Sequence, residues 1–212
     1  MSTSTAQSGP SARLRYLALG DSYTTGESVA ESERWPVQLV ERLRQQGFDF
    51  EDAQIVAQNG WATRDLAAGI EQAGISPPYD LVSLLIGVNN QFRGYDRENY
   101  RAEFAALLEQ AIAFAGGDPQ RVLVLSIPDW GATPFAADAD QGAIAADIDA
   151  FNAINRAESE RSGVYYIDIT PLSRQASDDL SLIAEDGLHP SGQMYTGWVE
   201  LALPVAVEAL EP

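Results

Sequence analysis

Five short apolar runs, at residues 14–19, 53–57, 81–86, 122–127 and 164–169, recur along the chain with helix-length stretches between them. They are rich in Val, Ile, Leu and Tyr and mostly unbroken rather than alternating, the pattern of parallel strands buried on both faces. The stretches between them read as amphipathic helices. Trp35-Pro36 opens one, with Val37, Val40 and Leu43 on one face and the proline tolerated in the first turn. A shorter helix is expected over residues 63–73. Tyr100, Phe104, Leu107, Leu108, Ala111 and Phe114 keep the spacing of a third, and Ile144, Ile148, Phe151 and Ile154 that of a fourth. Ser191 is placed to cap a final helix bearing Met194, Trp198 and Leu201, which Pro204 should kink or interrupt. Strands alternating with helices predict an α/β fold: a flavodoxin-like, three-layer α/β/α sandwich around a five-stranded parallel sheet with right-handed crossovers. No repeat or interior linker divides the sequence, so residues 13–212 read as one domain and residues 1–12 as a disordered tail.

Composition removes several classes of chemistry. The chain has no cysteine, which excludes a thiol nucleophile, a disulfide framework and Cys-ligated metal centres. Every basic residue is arginine, so lysine Schiff-base and Ser-Lys mechanisms are excluded too. A single histidine rules out a multi-His metal site. With 31 acidic residues against 13 basic ones the formal net charge is −18, a surface that repels nucleic acid and anionic membranes. The lysine-free acidity fits either adaptation to high salt or a genome rich in Ala and Arg codons. The longest apolar stretches fall well short of the roughly 20 residues that span a bilayer. Residues 1–12 have neither a basic patch nor an apolar segment and do not read as a secretory signal, which favours the cytoplasm.

In parallel sheets of this kind, ligands bind beyond the carboxyl ends of the strands. Polar residues gather there: Asp21-Ser22 after the first run, Asn59-Gly60 after the second, Asn89-Asn90 after the third and Asp129 after the fourth. Ser22 directly follows a buried strand, and the lone histidine, His189, stands three residues after Asp186. A serine hydroxyl, an imidazole and a carboxylate are the parts of a Ser-His-Asp acyl-transfer site. A serine in this position also serves as an ordinary helix cap, and Asn-Asn or Asn-Gly after a strand as an ordinary turn. The glycine-flanked elbow of α/β-hydrolases is absent, because Thr24 stands where its second glycine belongs.

Leu19-Gly20-Asp21-Ser22-Tyr23-Thr24-Thr25-Gly26-Glu27 resembles the first block of the GDSL, or SGNH, hydrolase family. Asn59-Gly60 is similar to its second block, Gly87-Val88-Asn89-Asn90 to its third and Asp186-Gly187-Leu188-His189-Pro190 to its last, in the family's order. The third block usually ends in aspartate, where this chain has Asn90. The resemblance implies the SGNH hydrolase fold and a serine esterase with Ser22 as nucleophile, His189 as general base and Asp186 orienting the imidazole. It further implies an oxyanion hole of the Ser22 and Gly60 N–H groups with the Asn89 amide, and no metal or organic cofactor.

The expected partner is a small-molecule ester carrying a short acyl or acetyl group; no stable membrane association is expected, and oligomeric state is left open. Tyr23, Trp61, Asn90 and Trp130 are candidate substrate-binding residues, with Phe92 and Tyr95 as further aromatics at the same edge. Three alternatives stay open at the level of sequence. They are a lysophospholipase- or thioesterase-like enzyme for longer acyl chains, a non-catalytic binding module on the same scaffold, and a nucleotide-binding domain. The last is weakened because no glycine-rich phosphate loop follows the first strand.

Overall fold

In the computed structural model, which describes residues 13–211, five parallel strands run in the order β2-β1-β3-β4-β5. They are β1 (Tyr16–Gly20), β2 (Gln54–Ala57), β3 (Leu81–Leu85), β4 (Val122–Leu125) and β5 (Tyr165–Ile167). The expected tail, residues 1–12, lies outside the described residues. The central strands β1, β3 and β4 are buried along their whole length, which is why their sequences do not alternate. β1 pairs with β3 from Tyr16–Leu81 to Gly20–Leu85 and with β2 from Leu17–Gln54 to Gly20–Ala57. Ser83 is the one hydroxyl inside β3, and its bond to the Tyr16 hydroxyl at 2.7 Å removes the cost of burying either group.

The helices are α1 (Ser22–Thr25), α2 (Trp35–Gln45), α3 (Thr63–Gln72), α4 (Val88–Phe92), α5 (Arg97–Phe114), α6 (Gln141–Ser162), α7 (Thr170–Ser173) and α8 (Gly192–Leu210). α2 packs against α8 in one layer, while α5 packs against both α3 and α6 in the other. Trp35, Leu39, Leu43 and Trp198 fill the first interface and Tyr100, Phe104, Leu107 and Phe151 the second; all are essentially fully buried. Ser191 caps α8 by accepting from the Met194 N–H. Pro204 does not interrupt α8, which runs through it to Leu210, and Leu201 on this helix is exposed. Pro204 and Glu200 are both exposed, so the Glu200 carbonyl that loses its N–H partner faces water instead of the core.

The strand order reverses direction between β1 and β3, and this opens a crevice at their carboxyl ends. Two short helices that the apolar periodicity does not reveal, α1 and α4, begin there. Gly87, at φ 131°, turns the chain from β3 into α4, and a Cβ at this position would meet the Tyr100 hydroxyl at 2.3 Å. Only glycine lets the backbone come this close.

Candidate active site

Above the switch point lies a cavity of about 460 Å³. Ser22 and Tyr23 from α1, Glu27 and Ser28 after it, Asn59 and Gly60 after β2, and Val88, Asn89 and Phe92 from α4 line it. Trp130 and Phe135 from the loop after β4, and Asp186, Leu188 and His189 from the loop before α8, complete the wall. Residues far apart in sequence thus meet at one end of the sheet.

Asp186 and His189 are held by their own turn. Asp186 Oδ1 accepts the N–H groups of Leu188 and His189, each at 2.9 Å, the side-chain-to-backbone turn that aspartate favours. Its Oδ2 meets His189 Nδ1 at 2.6 Å and also accepts the Ser28 hydroxyl at 2.7 Å. Burial pushes the Asp186 carboxyl up, but these backbone N–H groups, the imidazole and Ser28 outweigh it and hold the group well below the usual carboxylate range. His189 stays out of α8, its carbonyl accepting the Ala184 N–H at 2.8 Å, and the proline after it forms a bridge to Ile183. The edge of the ring packs on Tyr23 with centroids 5.7 Å apart.

Ser22 is the first residue of α1, capped by Asp21, whose Oδ1 accepts the Tyr23 N–H at 3.0 Å. Asp21 is completely buried with Oδ2 lacking a hydrogen-bond partner, and burial pushes its carboxyl up to about 7. Tyr23 is likewise buried, and its phenol is raised by that burial and then by the charges of Asp21, Asp129 and Asp186, so it stays neutral. The hydroxyl of Ser22 reaches the cavity with no hydrogen bond to His189 or to any other described residue. As the first helical residue, Ser22 has an N–H with no acceptor inside its own helix, which leaves that donor for the cavity. Gly60 turns at φ 80° after β2, with its carbonyl accepting from Arg93 at 2.6 Å. Asn89 Nδ2 donates one hydrogen to the Trp61 carbonyl at 3.0 Å, and its second remains for a ligand.

Of the residues expected at the site, Ser22, Tyr23, Gly60, Asn89, Trp130, Asp186 and His189 share the cavity. Trp61 and Asn90 do not. The Trp61 ring lies against Gly69, where a Cβ would be 2.1 Å from it, so it packs on α3 rather than facing a substrate. Asn90 is fully buried and bonded to Thr63. Asp129 is also spent on structure, pairing with Arg174 at 2.8 Å and capping its own loop. Tyr95 lines a different cavity, beside α5.

Sequence reasoning missed Glu27, Ser28, Val88, Phe135 and Leu188. Phe135 carried a signal, since it follows Trp130 in the same Gly/Thr/Pro-containing loop; Ser28 carried none. Phe92, Trp130 and Phe135 form an aromatic wall with centroids 5.3–6.4 Å apart, and Phe92 and Phe135 are 56% and 54% exposed. The Trp130 indole N–H is fixed by Gln91 at 2.8 Å. Among the described residues no arginine lines the cavity, whereas Glu27 and Asp186 do. Among the described residues no cluster of His, Asp and Glu is arranged to hold a metal ion, and no helix is long and apolar enough to cross a membrane.

The model of the GDSL-like lipase/acylhydrolase family matches residues 18–196. Among solved structures, the chain is similar to a member of the lipolytic protein G-D-S-L family from Veillonella parvula, at 17% identity and a TM-score of 0.68, covering 92% of this chain and 98% of that one. It is similar to TesA at 19% identity and a TM-score of 0.70, with coverage of 92% and 99%. The acetylxylan esterase Axe2 from Geobacillus stearothermophilus matches at 18% identity and a TM-score of 0.66, with 94% of each chain covered. At these identities the likeness is one of fold. No match was found among functionally curated proteins.

Proposed function

The chain belongs to the GDSL-like lipase/acylhydrolase family and is a carboxylic ester hydrolase, and we propose that it cleaves short-chain acyl esters of uncharged alcohols through an acyl-enzyme on Ser22. The observation that carries this reading is the Asp186–His189 bond at 2.6 Å on the same cavity as the Ser22 hydroxyl. Ser22 Oγ attacks the ester carbonyl as His189 Nε2 takes its proton. The tetrahedral oxyanion draws on the Ser22 and Gly60 N–H groups and the Asn89 amide, donors that strengthen as charge develops. His189 then protonates the departing alcohol, and water, activated by the same imidazole, releases the acid and restores Ser22. Asp186 stays ionised throughout and stabilises the imidazolium, consistent with its depressed pKa.

The lining supports an uncharged substrate. Carboxylates without a facing arginine disfavour phosphate-bearing groups such as those of lysophospholipids. A second reading, longer acyl chains, is favoured by the wall of Phe92, Trp130 and Phe135. Hydrolysis of p-nitrophenyl esters from acetate to long-chain acids, with Ser22→Ala alongside, separates the two. Serine-dependent turnover best with acetate supports the first and a preference for long chains the second. Hydrolysis that survives Ser22→Ala would remove the acyl-enzyme altogether.

A further inference from the structure

Ser28 is the only non-glycine residue with a positive φ among the described residues, at 64°. That region places Cβ against the backbone and is left to glycine wherever the turn is all that matters. Two residues earlier, Gly26 closes α1 at φ 68° in just that way. A serine two positions on retains the unfavourable conformation and gains one thing from it, the bond from its hydroxyl to Asp186 Oδ2 at 2.7 Å, across 158 positions of sequence.

That oxygen is the one that also accepts His189 Nδ1. The other bonds to Asp186, from Leu188, His189 N–H and the imidazole, all come from the turn 186–189 itself. Among the described residues Ser28 is therefore the single tie between the carboxylate and the loop that follows the nucleophile. We infer that Ser28 is a positioning residue: its left-handed backbone presents a hydroxyl that fixes the Asp186 carboxylate and shares its charge with the His189 ring. The inference rests on the proposed Ser22–His189–Asp186 reading for its catalytic consequence, but its electrostatic part stands without it.

The direction of the effect follows from the shared oxygen. Donation from Ser28 spreads part of the negative charge on Oδ2 and lowers its hold on a protonated imidazole. Removing the hydroxyl concentrates that charge on the bond to His189 Nδ1 and leaves the carboxylate freer to turn. Tyr23 packs on the ring from α1, and Glu27, on the loop after α1, lines the same cavity.

Because His189 is the only histidine, its imidazole resonances in an NMR spectrum are unambiguous and need no substrate. The variants are Ser28→Ala, which removes the hydroxyl, and Ser28→Gly, which removes it while favouring the same positive φ. Both should shift the His189 Nδ1–H resonance, because the oxygen that accepts it loses its second donor. Both should also lower kcat of Ser22-dependent ester hydrolysis roughly tenfold with little change in KM. An unshifted His189 resonance in both variants overturns the inference, as does full kcat in Ser28→Gly with loss only in Ser28→Ala, which would assign the effect to the backbone. If the wild-type protein shows no Ser22-dependent hydrolysis, the function reading fails, and the resonance still decides the role of Ser28.

Discussion

Asn90 and Thr63 hold each other by two hydrogen bonds: the Thr63 N–H donates to Asn90 Oδ1 at 3.1 Å, and Asn90 Nδ2 donates to the Thr63 hydroxyl at 2.7 Å. The Thr63 hydroxyl in turn donates a hydrogen bond to the Glu103 carboxylate on α5. The start of α3 is thereby clamped to α4, the helix that carries Asn89. Asn90→Ala would leave a buried N–H without an acceptor and should cost about 1–3 kcal/mol. Urea unfolding should show a lower midpoint with an unchanged slope; an unchanged midpoint would contradict the clamp.

Asn89 sits on the cavity side of the same helix. Asn89→Ala should lower kcat by roughly 10²–10³-fold with a much smaller change in KM, since an oxyanion donor acts on the transition state. Its second bond, to the Trp61 carbonyl, predicts a modest loss of stability as well. Loss of stability without loss of kcat would reduce Asn89 to a strut.

Asp21 predicts a pH dependence of stability opposite to the usual one for carboxylates. Burial raises its pKa to about 7, against about 3.9 in an unfolded chain. Its contribution is complete below about pH 4 and is lost as pH rises through 7, by roughly 4 kcal/mol. Asp186 has the depressed kind of pKa, so its contribution is present above about pH 4 and is lost only on the acid side. Asp21→Asn keeps an oxygen for the Tyr23 N–H, so denaturant unfolding between pH 4 and 8 should lose most of its downward slope. Parallel slopes for the two proteins would show that Asp21 does not take up its proton in this range.

Salt should stabilise the fold. The net charge of −18 repels itself, and ion pairs such as Arg13–Asp49 and Arg44–Asp52 are too exposed to offset that. Moving from 0.05 to 1 M KCl should raise Tm by roughly 2–4 °C, the shift expected for about 1 kcal/mol in a chain of this size. A Tm that falls with salt would mean that the ion pairs outweigh the repulsion.

Phe135 should set selectivity rather than rate. Phe135→Ala removes one face of the aromatic wall and should lower kcat/KM for benzoyl or longer acyl esters roughly tenfold relative to acetate. An equal loss on all esters would place the wall outside the acyl path.

The sequence by itself determined the layered α/β architecture, because strands buried on both faces must be continuously apolar and the helices between them must carry a stripe. It also held the parts of the site that are local in the chain. Asp186 and His189 are joined within one turn, and the glycines at 60 and 87 mark places where the backbone bends or approaches closely. Tertiary structure alone decided what faces the cavity. Asn89 and Asn90 are adjacent and chemically identical, yet a helical step of about 100° turns one toward the crevice and buries the other against Thr63. Trp61 and Trp130 both follow strands, but one packs on Gly69 and the other joins the aromatic wall. Ser28 meets Asp186 only because the fold brings the loop after α1 and the loop before α8 together above the sheet. Local pattern records which side chains prefer burial; which neighbour each one meets is set by packing across distances in sequence that no local pattern encodes.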